Sequence, residues 1–174
     1  MTNDSSKFIE SLNIAERISL AINGEFLEEL KNDESSLVRC TVADNGYALD
    51  ELKNDRDSEV RAEVARQGYA LDELTNDYYW EVRLAIAEQG HALDHFLHDD
   101  AWQVRLAVAE QGAFLNELKN DEAWQVREAV AKQGVPIDEL KKDKWANVRD
   151  IALKLKRKIT NWGSKNDKRQ FKNY

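Results

Sequence analysis

At 174 residues, with 25 basic against 33 acidic side chains and a net charge of −8, the chain is long enough to bury a core and too acidic over most of its length to grip polyphosphate. Cys40 is the only cysteine, which excludes a disulfide framework and fits a reducing compartment. No apolar run approaches the about 18 residues of a membrane span, and MTNDSSKFIE lacks the basic and apolar regions of a signal peptide, so the expectation is a soluble cytoplasmic protein with no membrane partner.

In chain order, residues 1–13 read as a polar lead-in whose Phe8, Ile9 and Leu12 cap the first hydrophobic face. A truncated unit follows in ERISLAING, with Arg17 in a position that later recurs. Glycines then fall at 24, 46, 68, 90, 112 and 134, a constant step of 22 residues. A fixed period in the range of about 20–50 residues is the signature of stacked repeats. The array runs over 14–155, and the expected fold is an all-α solenoid of about six two-helix units.

The stretch from Gly68, GYALDELTNDYYWEVRLAIAEQ, shows how one unit is built. Leu71 and Leu74 share a face of a first short helix over 70–74. Asp77 is placed as the N-cap of a second helix over 78–89, with Val82 and Ile86 four apart on its buried side. Gly90 closes that helix in the left-handed conformation. Pro136, in the last unit, suits a first helical turn. The aspartate recurs as Asp33, Asp55, Asp77, Asp99, Asp121 and Asp143. Six residues after each stands Arg39, Arg61, Arg83, Arg105, Arg127 or Arg149, preceded by Val38, Val60, Val82, Val104, Val126 or Val148. An active site is needed once, whereas a device present in every unit is structural, so these residues are expected to cap helices and hydrogen-bond along the stack.

The D-x4-V-R spacing followed by V-A resembles the second helix of HEAT-type repeats, and the short unit is most similar to the leucine-rich repeat variant. The resemblance implies helical pairs stacked into a curved right-handed rod, with the aspartates and arginines forming a hydrogen-bonded ladder between units. It implies no single task, because such scaffolds serve many. The leucine-rich repeat variant is also known beside an iron–sulfur cluster, but Cys40 alone cannot ligate one. No cofactor is expected.

Departures from the repeat carry the functional content. Three residues after the aspartate stand Ser36 and Ser58, then Trp80, Trp102 and Trp124, then Ala146, with Trp145 one place earlier. Trp80 lies about 200° around the helix from Val82, and Leu84 and Leu106 extend the stripe one turn further. Two readings stand: each indole completes packing on its neighbour, or Trp80, Trp102, Trp124, Leu84 and Leu106 form an exposed contact ridge flanked by Tyr78 and Tyr79, the composition of a binding hot spot. His91, His95 and His98 share one unit, and the first two have a spacing that can bind metal. Sister units place Tyr69, Glu73 and Asn76 there, so they read as surface positions and no metal site is assigned. Cys40 reads as an incidental thiol.

From Lys154 to Tyr174 eight basic residues face one acid, Asp167, a net of +7 that leaves −15 on the rest. Residues 156–174 form a basic tail in which Trp162, Phe171 and Tyr174 interleave with cations. It reads as a solubilising cap, with nucleic acid or an acidic partner as the sharper alternative. No phosphate loop, nucleophile elbow or zinc motif is present. The chain is expected to be a non-enzymatic scaffold that binds another protein on the concave repeat surface, including a partner with a basic surface. The alternative is an acidic decoy that mimics nucleic acid and inhibits a nucleic-acid-binding protein. Direct nucleic-acid binding is expected only through the basic tail.

Overall fold

The structure, a computed structural model, describes residues 2–134 and 137–170, with side chains described for 5–134 and 137–160. Pro136, Phe171 and Tyr174 lie outside the described residues, and the Trp162 side chain outside the described side chains. All regular structure among the described residues is helical. None of these helices is long and apolar enough to cross a membrane.

The chain divides into two compact units, Met1–Ala92 and Leu93–Tyr174. The first contains α1 (Thr2–Glu10), α2 (Ile14–Ile22), α3 (Leu27–Leu30), α4 (Ser36–Asp44), α5 (Leu49–Leu52), α6 (Ser58–Arg66), α7 (Leu71–Leu74) and α8 (Trp80–Glu88). The second contains α9 (Leu93–Phe96), α10 (Trp102–Glu110), α11 (Leu115–Leu118), α12 (Trp124–Gln133), α13 (Ile137–Leu140) and α14 (Ala146–Gln170). In the first, α2 packs on α4, α4 on α6 and α6 on α8; in the second, α10 packs on α12 and α12 on α14. Within each unit the four-residue helices lean on the long helices beside them, as α3 does on α2 and α4, and α13 on α12 and α14.

The packing follows from a short apolar repertoire. Val60 and Val64 of α6, Val82 and Ile86 of α8, and Val104 and Val108 of α10 are completely buried. The alanines beside them (Ala65, Ala87 and Ala109) are equally closed to solvent and let neighbouring helices approach closely. The second leucine of each short helix, such as Leu30, Leu52 or Leu118, is buried, and Phe96 takes that place in α9. Fully burying one such side chain stabilises by about 1.5–3 kcal/mol, so a thin core repeated many times suffices.

Two turns set the period. At the ends of α2, α4, α6, α8 and α10 the chain closes in the same way, as where Gly90 at φ +74° donates to the Ala87 carbonyl and the His91 N–H reaches back to the Ile86 carbonyl. This is the paired 6→1 and 5→2 arrangement of a Schellman cap. A Cβ built on Gly46 (φ +71°) meets nothing within 4 Å, so glycine is required there by conformation and not by crowding.

The second turn was not legible in the sequence. Phe26, Ala48, Ala70, Ala92 and Phe114 all adopt φ between 50° and 54°, a left-handed conformation that costs a non-glycine residue roughly 1–2 kcal/mol. Ala70 therefore precedes the first short helix of its unit instead of starting it. The reason is visible in the bonds: the Ala70 carbonyl accepts from Leu74 N, and the Ala48 carbonyl from Leu52 N, so the strained residue is the N-cap of the four-residue helix that buries the leucine.

One further expectation is corrected. Asp77 is not the N-cap of α8; that residue is Tyr79, and α8 spans 80–88 instead of 78–89. Asp77 Oδ1 instead accepts from the Tyr79 N–H at 2.9 Å, bending the chain one step before the helix begins. The lead-in is itself a helix, α1, in which Ile9 is buried, Leu12 just beyond it is half-buried, and Phe8 remains 46% exposed against the Phe26 ring. The backbone of α14 stays helical to Gln170, so most of the basic segment 156–174 continues the last helix.

Candidate interaction surface

The aspartates and arginines meet across neighbouring helices within each unit. Arg39 Nε and Nη2 hold the two oxygens of Asp55 at 2.7 and 2.8 Å, and Arg61 holds those of Asp77 at 2.6 and 2.9 Å. In the second unit Arg105 grips Asp121 at 2.6 and 2.9 Å and Arg127 grips Asp143 at 2.6 and 3.1 Å. Arg17 of the truncated unit occupies the same place, its Nε 2.8 Å from Asp33. Each of these arginines beyond Arg17 also donates through Nη1 to the carbonyl of its own unit's aspartate, as Arg61 does to Asp55 and Arg105 to Asp99. Arg83 makes that bond to Asp77 at 2.7 Å, and Asp99 accepts from the Ala101 N–H.

The electrostatics follow from this fork-to-carboxylate geometry. Burial works against ionisation of Asp55, Asp77 and Asp143, yet the hydrogen bonds from Arg39, Arg61 and Arg127 and from one backbone N–H each hold these carboxyls below the usual range. Arg39, Arg105 and Arg127 are themselves buried. Charge-assisted pairs at a closed seam align one helix with the next, and the carboxylate simultaneously orders the turn that precedes its own helix.

Two other series of pairs line the short helices, and the sequence reading passed over both. Lys31 bridges Glu28 and Glu51, Lys53 bridges Asp50 and Glu73, and Lys119 meets Glu139 at 2.8 Å. In the first unit Tyr47 donates its hydroxyl to Glu28 and Tyr69 donates to Asp50. His91, two helices on, sits 2.8 Å from Asp72 in the equivalent arrangement. The available signal was a recurring separation: 20 residues for Lys31–Glu51 and 19 for each Tyr or His pair.

The aromatic positions are partly sheltered. Trp80, Trp102 and Trp124 each occupy the first residue of a long helix and are half-buried, as are Leu84 and Leu106 one turn on. The ridge is thus less open than a fully exposed stripe. For Trp124 the cover is identifiable, since its ring lies 5.8 Å from that of Trp145. Tyr78 is by contrast 88% exposed and Tyr79 47%. The two rings meet edge to face at 5.3 Å, and the Arg61 guanidinium lies 5.6 Å from the Tyr79 ring centre. Ser36 and Ser58 hold the tryptophan position in α4 and α6.

Of the other singled-out residues, Cys40 is half-buried, and burial followed by nearby carboxylates pushes its thiol up to about 11, the opposite of a reactive thiolate. His95 packs edge to face on Phe96. Among the described residues, no group of three or more His, Cys, Asp or Glu side chains is arranged to hold a metal ion. Charge divides unevenly. Residues 1–92 carry nine basic and twenty acidic side chains, a net of −11, and residues 93–174 carry sixteen and thirteen, a net of +3. Within the basic segment, Lys156 joins Lys141 on Asp138, whose carboxyl those two hydrogen bonds lower to about 2.

No protein-family model matches the chain, and no curated protein matches it.

Proposed function

We propose that the chain is a HEAT-like right-handed solenoid of about six two-helix units and serves as a non-enzymatic scaffold that binds another protein through the surface of its long helices. One observation carries this reading. The first position of the long helix is aromatic in α8, α10 and α12 but serine in α4 and α6, while the apolar core and the Asp–Arg pairs recur in both units. The fold tolerates a small polar residue there, so the tryptophans serve something other than the helix pair itself. Half-buried indoles beside exposed tyrosines combine a large apolar area with a fixed rotamer, the combination that dominates binding energy at protein interfaces. In the first unit the patch is Tyr78, Tyr79, Trp80 and Leu84; in the second it is Trp102, Leu106 and Trp124.

A second reading has its own support. The net charge of −11 on residues 1–92 suits a partner with a basic surface, including the nucleic-acid channel of another protein that this chain would block. Salt separates the two, because apolar contacts survive screening and charge contacts do not. Wild type and Trp102→Ala are immobilised and challenged with extract of the native cell, with washes at low and high salt. The expected outcome is a partner retained by wild type at high salt and lost from Trp102→Ala. A partner held equally by both baits and released by salt would replace the scaffold reading with the decoy. Identical capture at every salt concentration would sink both.

A further inference from the structure

The last arginine of the series is anchored like the others but meets no carboxylate among the described residues. Arg149 Nη1 donates to the Asp143 carbonyl at 2.7 Å and to the Lys144 carbonyl at 2.9 Å. Arg127 makes the same anchoring bonds to Asp121 and Glu122, at 2.6 and 3.1 Å. In Arg127 the remaining edge, Nε and Nη2, closes on Asp143. In Arg149 that edge has no hydrogen-bond partner among the described residues. The position sixteen residues on, where the other arginines find aspartate, is Lys165. Arg149 is half-buried, whereas Arg127 beneath its carboxylate is only 5% exposed.

We propose that the open edge of Arg149 is a receptor for an acidic protein segment that presents two consecutive carboxylates, aspartate then glutamate. The chain itself supplies the template. Arg17 holds Asp33 and, at 3.3 Å, the adjoining Glu34; Arg105 holds Asp121 and, at 3.3 Å, the adjoining Glu122. A guanidinium already fixed through Nη1 has lost its rotamer freedom before a ligand arrives, so a bidentate carboxylate meets a preorganised fork. The surroundings fit the same ligand. Residues 141–158 carry eight basic and two acidic side chains, a net of +6. The residue after the aspartate is Glu34, Arg56, Tyr78, Asp100 and Glu122 in the earlier repeats and the basic Lys144 here. The aspartates of a second copy are poor candidates, since Asp33, Asp55, Asp77, Asp121 and Asp143 are already held by arginines. The occupant is therefore an acidic segment of another protein. The site is independent of the aromatic patches proposed above.

The probe is a fluorescein-labelled peptide with the sequence of residues 113–134, which carries the Asp121–Glu122 pair, titrated into the full chain at about 150 mM salt and followed by anisotropy. Saturable binding is expected, weakened by at least about tenfold in Arg149→Ala. Arg149→Lys keeps the charge and loses the fork, and is expected to bind nearly as poorly. A peptide with Asp121→Asn and Glu122→Gln should fail against wild type, and Trp102→Ala should bind the unmodified peptide like wild type. Circular dichroism of both Arg149 variants is expected to match wild type, because no neighbouring carboxylate is left unpaired. Absence of saturable binding, equal affinity in Arg149→Ala, or full displacement by excess inorganic phosphate would overturn the assignment.

Discussion

The two units repeat one framework and dress it differently. Both join long helices through the same arginine fork, as Arg61–Asp77 does in the first and Arg127–Asp143 in the second, with nearly identical distances. Both bury the same valine pairs, and the helices from α2 to α12 that run nine or ten residues are followed by a glycine at positive φ. Around this frame the first unit carries serines at the start of α4 and α6, a Tyr/His series against carboxylates, and a net charge of −11. The second starts α10 and α12 with tryptophan, as α8 at the end of the first already does, places Ala113 where the first has Tyr47 and Tyr69, and carries a net charge of +3. What is held constant is the part each helix needs to pack on the next. What varies lies at positions the shared packing does not fix, and the proposed binding surface is drawn from them.

The comparison breaks most readily at the fork. Arg61→Ala and Arg127→Ala each strand a shielded carboxylate, with an expected cost of about 1–3 kcal/mol in a urea titration. If the fork does the same work in both units, the two variants fall within about 0.5 kcal/mol of each other. A large loss in one and none in the other would show that the frame is not shared.

Acid provides the next test. Asp55, Asp77 and Asp143 have folded pKa values below their unfolded value of about 3.9. The stability they contribute is therefore fully present above that value and is lost as pH falls through the lower folded values. Thermal melting followed by circular dichroism should be nearly flat from about pH 7 to 5 and should fall steeply below about pH 4. A midpoint unchanged to about pH 2 would mean that the ionised pairs contribute nothing.

The smallest expected difference concerns the first position of the long helices, where serine gives way to tryptophan along the chain. Trp124→Ala removes a half-buried indole that meets Trp145, and should cost about 1–2 kcal/mol, less than the roughly 3–5 kcal/mol of a core tryptophan. Ser58→Ala, at the same position in the first unit, should stay within about 0.5 kcal/mol. A core-sized loss for Trp124→Ala would assign the tryptophans to packing and remove them from the binding surface.

Much of this was readable from one dimension. A step of 22 residues with Gly, Asp, Val and Arg at fixed offsets requires equivalent local structure at each recurrence, because the same backbone groups are left to satisfy each time. The helical class, the glycine-closed ends, the buried valines and the importance of the Asp–Arg positions all follow from that. The site was legible to the extent of which residues depart from the repeat, since departure is visible by alignment of the chain with itself.

Other features depended on distances between helices. Nothing in an alanine announces a left-handed backbone, and Ala48 and Ala70 adopt one only because the chain must turn sharply to seat Leu52 and Leu74. Asp77 has the composition of an N-cap, but its carboxylate is drawn to Arg61 on the preceding long helix, so it orders the turn and leaves Tyr79 to cap α8. The degree of tryptophan burial, the Tyr47–Glu28 and Lys31–Glu51 pairs, and the Arg149 edge that meets no carboxylate among the described residues depend on how closely one helix lies against the next. The sequence by itself determined the repeating frame, because periodic patterning specifies local structure and the burial each unit needs. Only the tertiary structure decided which side chains remain open, because exposure and pairing are properties of neighbours that the order of residues does not place.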